Sequence, residues 1–153
     1  MDILDLNDMD QITETIWLGN LNSALNINNL KKEGIKKMIK ISDFPNRNII
    51  KYFGECLNFM DWEEKTLVHC KIGTSRSATI VIAYLMWKQK MKYDDAYNFV
   101  KIKRKRIGPN SGFKEQLKIF ENLLIKNDYD LNKIDFNNIE RCGNSEFFVP
   151  LNK

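Results

Sequence analysis

The chain has 153 residues, 43% hydrophobic and 29% charged, with 24 Lys and Arg against 20 Asp and Glu and a formal charge of +4. These values fit one globular domain with its own core, exclude a disordered or collagen-like chain, and give no case for a nucleic-acid partner. No apolar run approaches the roughly 20 residues of a bilayer span, so no membrane partner is expected.

Three cysteines at unrelated spacings, Cys56, Cys70 and Cys142, do not make a disulfide framework, and a single histidine without paired cysteines argues against zinc. Neither a metal nor a cofactor is expected. The N-terminus is acidic and lacks a signal-peptide pattern, which implies a cytoplasmic protein. Residues 1–11 are polar and read as a loosely ordered extension.

Residues 12–20 alternate apolar and polar positions, the mark of a half-buried strand, and stop at Gly19-Asn20. Residues 28–33 suit a short helix ended by Gly34, and residues 35–41 a strand. From Ile49 the apolar positions Ile49, Tyr52, Phe53, Cys56, Leu57 and Met60 mark one face of an amphipathic helix. Cys56 on that stripe reads as core packing, with a redox partner for Cys70 as the alternative.

Thr66-Leu67-Val68 favours a strand, and residues 78–87 form an uncharged helical run apolar on nearly every side. Between them lies His69-Cys70-Lys71-Ile72-Gly73-Thr74-Ser75-Arg76-Ser77. A loop joining a strand's end to a helix's start lets backbone amides and the helix's positive end converge on an anion. That field favours the Cys70 thiolate, the nucleophilic form of the residue. Arg76 suits two phosphate oxygens with its planar fork, and Gly73 lets the backbone approach closely. Lys71, Ile72, Gly73, Thr74, Ser75 and Arg76 are therefore the expected phosphate-binding residues. Ser77 is expected to donate a hydrogen bond to the sulfur as it leaves. His69, pointing to the opposite face, is expected to order the loop by hydrogen bonding from behind.

Further on, Asp94 or Asp95 can cap a helix running to about Ile107, and Gly108-Pro109 stops it. Asn110 or Ser111 begins another, with Phe113, Leu117, Phe120 and Leu124 on one face. The basic run of residues 101–106 reads as a solvated helix end, with nuclear import or an acidic partner as alternatives. Residues 127–153 are Asn-rich and carry no motif; Cys142 there reads as an incidental thiol.

The order His-Cys-x-x-Gly-x-Ser-Arg-Ser resembles the signature of dual-specificity phosphatases within the cysteine-dependent protein tyrosine phosphatase superfamily. The likeness extends to the strand of residues 12–20, to Gly34-Ile35, and to the stretch from Pro109 and Asn110 through Phe113 to Gln116-Leu117. It implies a small mixed β-sheet flanked by helices. It also implies dephosphorylation of phosphotyrosine and phosphoserine or phosphothreonine in proteins through a phosphocysteine intermediate, with Asn110 in a supporting role.

Such chemistry calls for an acid to protonate the leaving oxygen. The resemblance points to Asp43, ahead of Phe44-Pro45-Asn46-Arg47, with Asp61 as a solvent-facing runner-up. Family members place a further loop and strand before their acid loop, so the sheet is expected to lack one strand near residue 43. The implied organisation is an extension at 1–11, a catalytic domain at 12–126 and a tail at 127–153. The implied partner is a phosphorylated protein, a kinase among the candidates. The same chemistry also suits a phosphoinositide, an RNA 5′ phosphate or a phosphosugar, and a weakly active phosphoprotein binder is the alternative outside catalysis.

Overall fold

The computed structural model describes residues 7–42 and 48–139 and, as backbone, 141–142 and 146–147. Its sheet has four strands: β1 (Met9–Gln11), β2 (Ile16–Gly19), β3 (Lys37–Lys40) and β4 (Thr66–His69), in the order β1-β2-β4-β3. β4 lies parallel to both neighbours, with Val68 opposite Leu18 on one side and Ile39 on the other, and β1 adds antiparallel to β2. Every residue of β4 is buried, as befits a central parallel strand covered on both faces.

The strand expected over residues 12–20 is shorter than its alternation suggests. Thr13 Oγ1 accepts from the N–H groups of Thr15 and Ile16, and Ile12 N–H donates to the Ile16 carbonyl at 2.8 Å, closing a hairpin turn. The turn sends the preceding residues back along β2. Residues 1–11 are thus not a loose extension throughout, because Met9–Gln11 is a paired strand.

Two short helices, α1 (Leu21–Leu25) and α2 (Ile27–Glu33), lead to β3, and α2 ends on Gly34 with φ of 76°. Only glycine takes that left-handed cap without a Cβ penalty. Among the described residues no strand lies outside β3, so β3 forms a sheet edge. Asp43 and the next four residues lie outside the described residues. The chain then enters a 3₁₀ turn, Ile49–Tyr52, and α3 (Phe53–Met60), which share the single helix the periodicity predicts. Buried Gln116 holds this turn by accepting from Ile50 N–H at 2.9 Å.

The helix α4 (Arg76–Lys88) is the fold's axle, buried from Ser77 to Met86 and packed against α3, β2 and β4. On its remaining side sit α5 (Tyr93–Lys103) and α6 (Ser111–Lys126). Asp94 and Asp95 occupy the first turn of α5 rather than its cap, where carboxylates still favour the positive pole. α5 ends before the predicted Ile107 because Arg104 adopts an extended backbone, φ −140° and ψ 95°. Asn110 caps α6, its side chain accepting from Phe113 N–H at 2.8 Å. Among the described residues no helix is long and apolar enough to cross a membrane.

The boundary expected at residue 126 does not mark the end of the core. Leu131, Ile134 and Ile139 are buried, and the Phe136 ring stacks 6.1 Å from Phe120. The asparagines of this stretch alternate with these anchors, which is why composition alone suggests a tail. Ile139→Ala should accordingly cost about 2–4 kcal/mol, the usual loss for a fully buried aliphatic side chain, seen as a lower urea midpoint at unchanged slope.

Candidate active site

The loop from Cys70 to Ser75 leaves the end of β4 and runs into the first turn of α4. Three of its carbonyls are tethered by donors from flanking segments. Leu21 N–H reaches the Lys71 carbonyl at 3.1 Å, and Gly108 N–H the Thr74 carbonyl at 2.7 Å. Arg104 Nε reaches the Gly73 carbonyl at 2.9 Å. No peptide bond among the described residues is cis, so each tethered carbonyl turns the following N–H the opposite way. The N–H groups of Ile72, Thr74 and Ser75 thus point away from the three tethering donors, the arrangement an anion nest beside the positive end of α4 requires.

Gly73 has φ of 80°, and a Cβ there would stand 2.7 Å from the Gly19 backbone and 2.8 Å from Arg104 Nη2. Only glycine meets both demands. Its own N–H donates to Cys70 Sγ at 3.2 Å, and Ser77 Oγ lies 3.1 Å from the same sulfur. Ser77 is wholly buried, so its hydroxyl is kept from water and available to the sulfur. Ser75 Oγ accepts from Asn110 N–H at 3.3 Å, which ties the start of α6 to the loop.

Burial raises the Cys70 thiol, but hydrogen bonds from the Ser77 hydroxyl and from the Ser77 and Gly73 amides, with the Arg76 charge, outweigh it and hold the group below its ordinary 9.0. Cys56 shows the opposite case. Burial and then the charge of Glu55 push its thiol up to about 11, so it stays protonated and unreactive at neutral pH.

A cavity of about 280 Å³ opens over the sulfur, and Arg76, Lys71 and Lys40 line it with Cys70, His69, Leu21, Ile41 and Ser42. Within the loop the Ile72 side chain stands exposed. His69 is buried, and its Nδ1 has no hydrogen-bond partner among the described residues, so the ordering bond expected of it is not made from that nitrogen. Burial, and then the charge of Lys40, push its pKa down and keep the ring neutral.

Asp43 lies outside the described residues. Asp61 pairs with Lys88 at 2.5 Å, at the opposite end of α4 from the loop and about 20 Å away by helical rise. That placement removes it as an acid. Among the described residues no three His, Cys, Asp or Glu side chains gather as a metal site.

The basic run of residues 101–106 is not simply a solvated helix end. Arg104 is completely buried, pairing with Asp10 at 2.7 Å and donating to the carbonyls of Asn7 and Gly73. Nothing in a run of alternating cations distinguishes the one that turns inward. Nor does the sequence single out Lys40, although it ends a strand parallel to β4, and sites in such sheets gather at the strands' carboxyl ends.

The electrostatics make a direct prediction. In a Cys142→Ser background, iodoacetamide should label Cys70 with a midpoint below pH 9.0 while Cys56 stays unlabelled at neutral pH. Ser77→Ala should move the Cys70 midpoint upward, because a donor that stabilises the anion has gone. A Cys70 midpoint at or above 9.0 in the unaltered loop would contradict the assignment.

The family model described as the dual specificity phosphatase catalytic domain matches residues 4–123. Human dual specificity protein phosphatase 7 is 36% identical over 139 residues, covering 74% of this chain and 33% of that protein. The chain thus spans about a third of the length of that curated relative. The crystal structure of human tyrosine phosphatase-like serine/threonine/tyrosine-interacting protein superposes with a TM-score of 0.72 at 33% identity, over 76% of this chain and 97% of that one. A mouse putative dual specificity phosphatase complexed with zinc tungstate gives a TM-score of 0.76 at 25% identity, over 80% of this chain and 91% of that one. With its cysteine and arginine framing one amide-lined turn and a family model matching most of its length, this chain belongs to the dual specificity phosphatase catalytic-domain family.

Proposed function

We propose that this domain hydrolyses phosphotyrosine and phosphoserine or phosphothreonine in proteins through a phosphocysteine intermediate. The observation that carries the reading is the sulfur of Cys70, its thiol held below the ordinary 9.0 by Ser77, Gly73 and Arg76, on the floor of a cavity at the positive end of α4. The thiolate forms an S–P bond as the ester P–O bond breaks, and the nest amides with Arg76 hold the three remaining oxygens. The leaving oxygen takes a proton from a general acid, a role we give to Asp43. Water then attacks phosphorus, giving its proton to the Asp43 carboxylate, the S–P bond breaks, and the Ser77 hydroxyl donates to the departing thiolate.

Lys40 and Lys71 on the cavity wall suit an acidic phosphorylated segment, such as a kinase loop. The likeness to human tyrosine phosphatase-like serine/threonine/tyrosine-interacting protein supports one second reading, a domain that binds phosphoproteins with little turnover. The depressed thiol of Cys70 favours catalysis, since binding alone does not need an oxidisable nucleophile.

Hydrolysis of an aryl phosphate decides between them. Cys70→Ser should lower kcat on the order of 10⁴-fold or more while a phosphopeptide still binds; undiminished turnover would remove the covalent mechanism. Asp43→Asn should slow an alkyl phosphate by about 10² to 10⁴ and an activated aryl phosphate much less, because only the poorer leaving group needs the proton. Equal slowing of both would take the acid's role away from Asp43.

A further inference from the structure

Arg104 contradicts its surroundings in sequence. It is the largest of the wholly buried side chains, at 0% exposure, within the most basic stretch of the chain. One nitrogen, Nη1, donates to the Asn7 carbonyl at 2.9 Å and pairs with the Asp10 carboxylate at 2.7 Å. Nε donates to the Gly73 carbonyl at 2.9 Å, and Nη2 has no hydrogen-bond partner among the described residues.

If this side chain served only to fill space, a methionine would serve as well. Replacing a buried ion pair with apolar side chains of similar volume is often neutral or stabilising, and an orphaned buried donor carries its own penalty. What methionine cannot do is hold the Gly73 carbonyl. That carbonyl belongs to the peptide whose other end is the Thr74 N–H, and the planar trans bond makes the two point oppositely. Gripping one from behind aims the other at the bound anion. The contact also keeps Gly73 at φ of 80°, the conformation in which its own N–H reaches Cys70 Sγ.

We infer that Arg104 is a positioning residue of the phosphate cradle: Asp10 and the Asn7 carbonyl fix its guanidinium, which pins the Gly73 carbonyl and turns the Thr74 N–H onto the substrate's oxyanion. The N-terminal strand β1, remote from the chemistry in sequence, thereby becomes part of the cradle's support. Arg104 reaches the reaction only through the loop, and the inference rests on the phosphatase reading for its consequence.

The test measures tungstate affinity by calorimetry, which requires no turnover. Arg104→Met should keep the far-UV spectrum and cooperative unfolding of the parent protein yet bind tungstate about 10-fold more weakly, the cost of one misdirected charge-assisted bond. The Thr74 amide proton, shifted downfield by tungstate in the parent protein, should shift much less in the variant. If Arg104→Met does not fold, Arg104→Lys and Asp10→Asn take its place in the same two measurements, since one loses the Nε contact and the other the partner that holds it. A folded variant that keeps the parent's affinity within twofold and its Thr74 shift would overturn the role of Arg104. A parent protein that binds tungstate through Thr74 but hydrolyses no phosphate ester would overturn the phosphatase reading instead and leave this result standing.

Discussion

Six residues of backbone, held from outside by three of their carbonyls, are the constraint on which the rest of this molecule depends. A free loop would turn its amides toward water at random and bind no anion. Here Leu21, Arg104 and Gly108 each take a carbonyl, and planarity of the peptide does the rest. The donors come from α1, from the end of α5 and from the segment before α6. Much of the helical architecture can therefore be understood as the means of bringing three donors to one turn.

The second requirement is an anion in a place that opposes anions. Cys70 is buried, and burial by itself favours the neutral thiol. The conflict is resolved locally, by the Ser77 hydroxyl, two amides and a guanidinium, and by the start of a helix so apolar that it can lie in the middle of the domain. Burial of α4 fixes where its positive end points; the polar residues at that end determine what it stabilises. Cys56, equally part of a buried face but without donors, ends with the opposite chemistry.

The edge of the sheet is where this chain departs from the pattern it resembles. β3 has no outer neighbour among the described residues, and the chain passes from Ser42 through residues 43–47 to the turn at Ile49. Lys40 and Ser42 lie on the cavity wall with Lys71 and Arg76. A wall with this much positive charge suits an anionic ligand.

Local chemistry was legible in the residues themselves. The placement of Cys70, Gly73, Arg76 and Ser77 on one strand-to-helix turn follows from spacing of a few residues, and the burial of α4 follows from a run without charges; both are short-range facts. Pairing of Met9–Gln11 with β2, anchoring of the Asn-rich stretch by Ile134 and Ile139, and the inward turn of Arg104 were decided only when distant segments met. The physical reason is that a side chain's fate depends on what covers it. Arg104 is soluble surface beside Lys103 and Lys105 along the chain, and becomes a buried clamp because Asp10 and the Gly73 carbonyl, both far away in sequence, satisfy its charge.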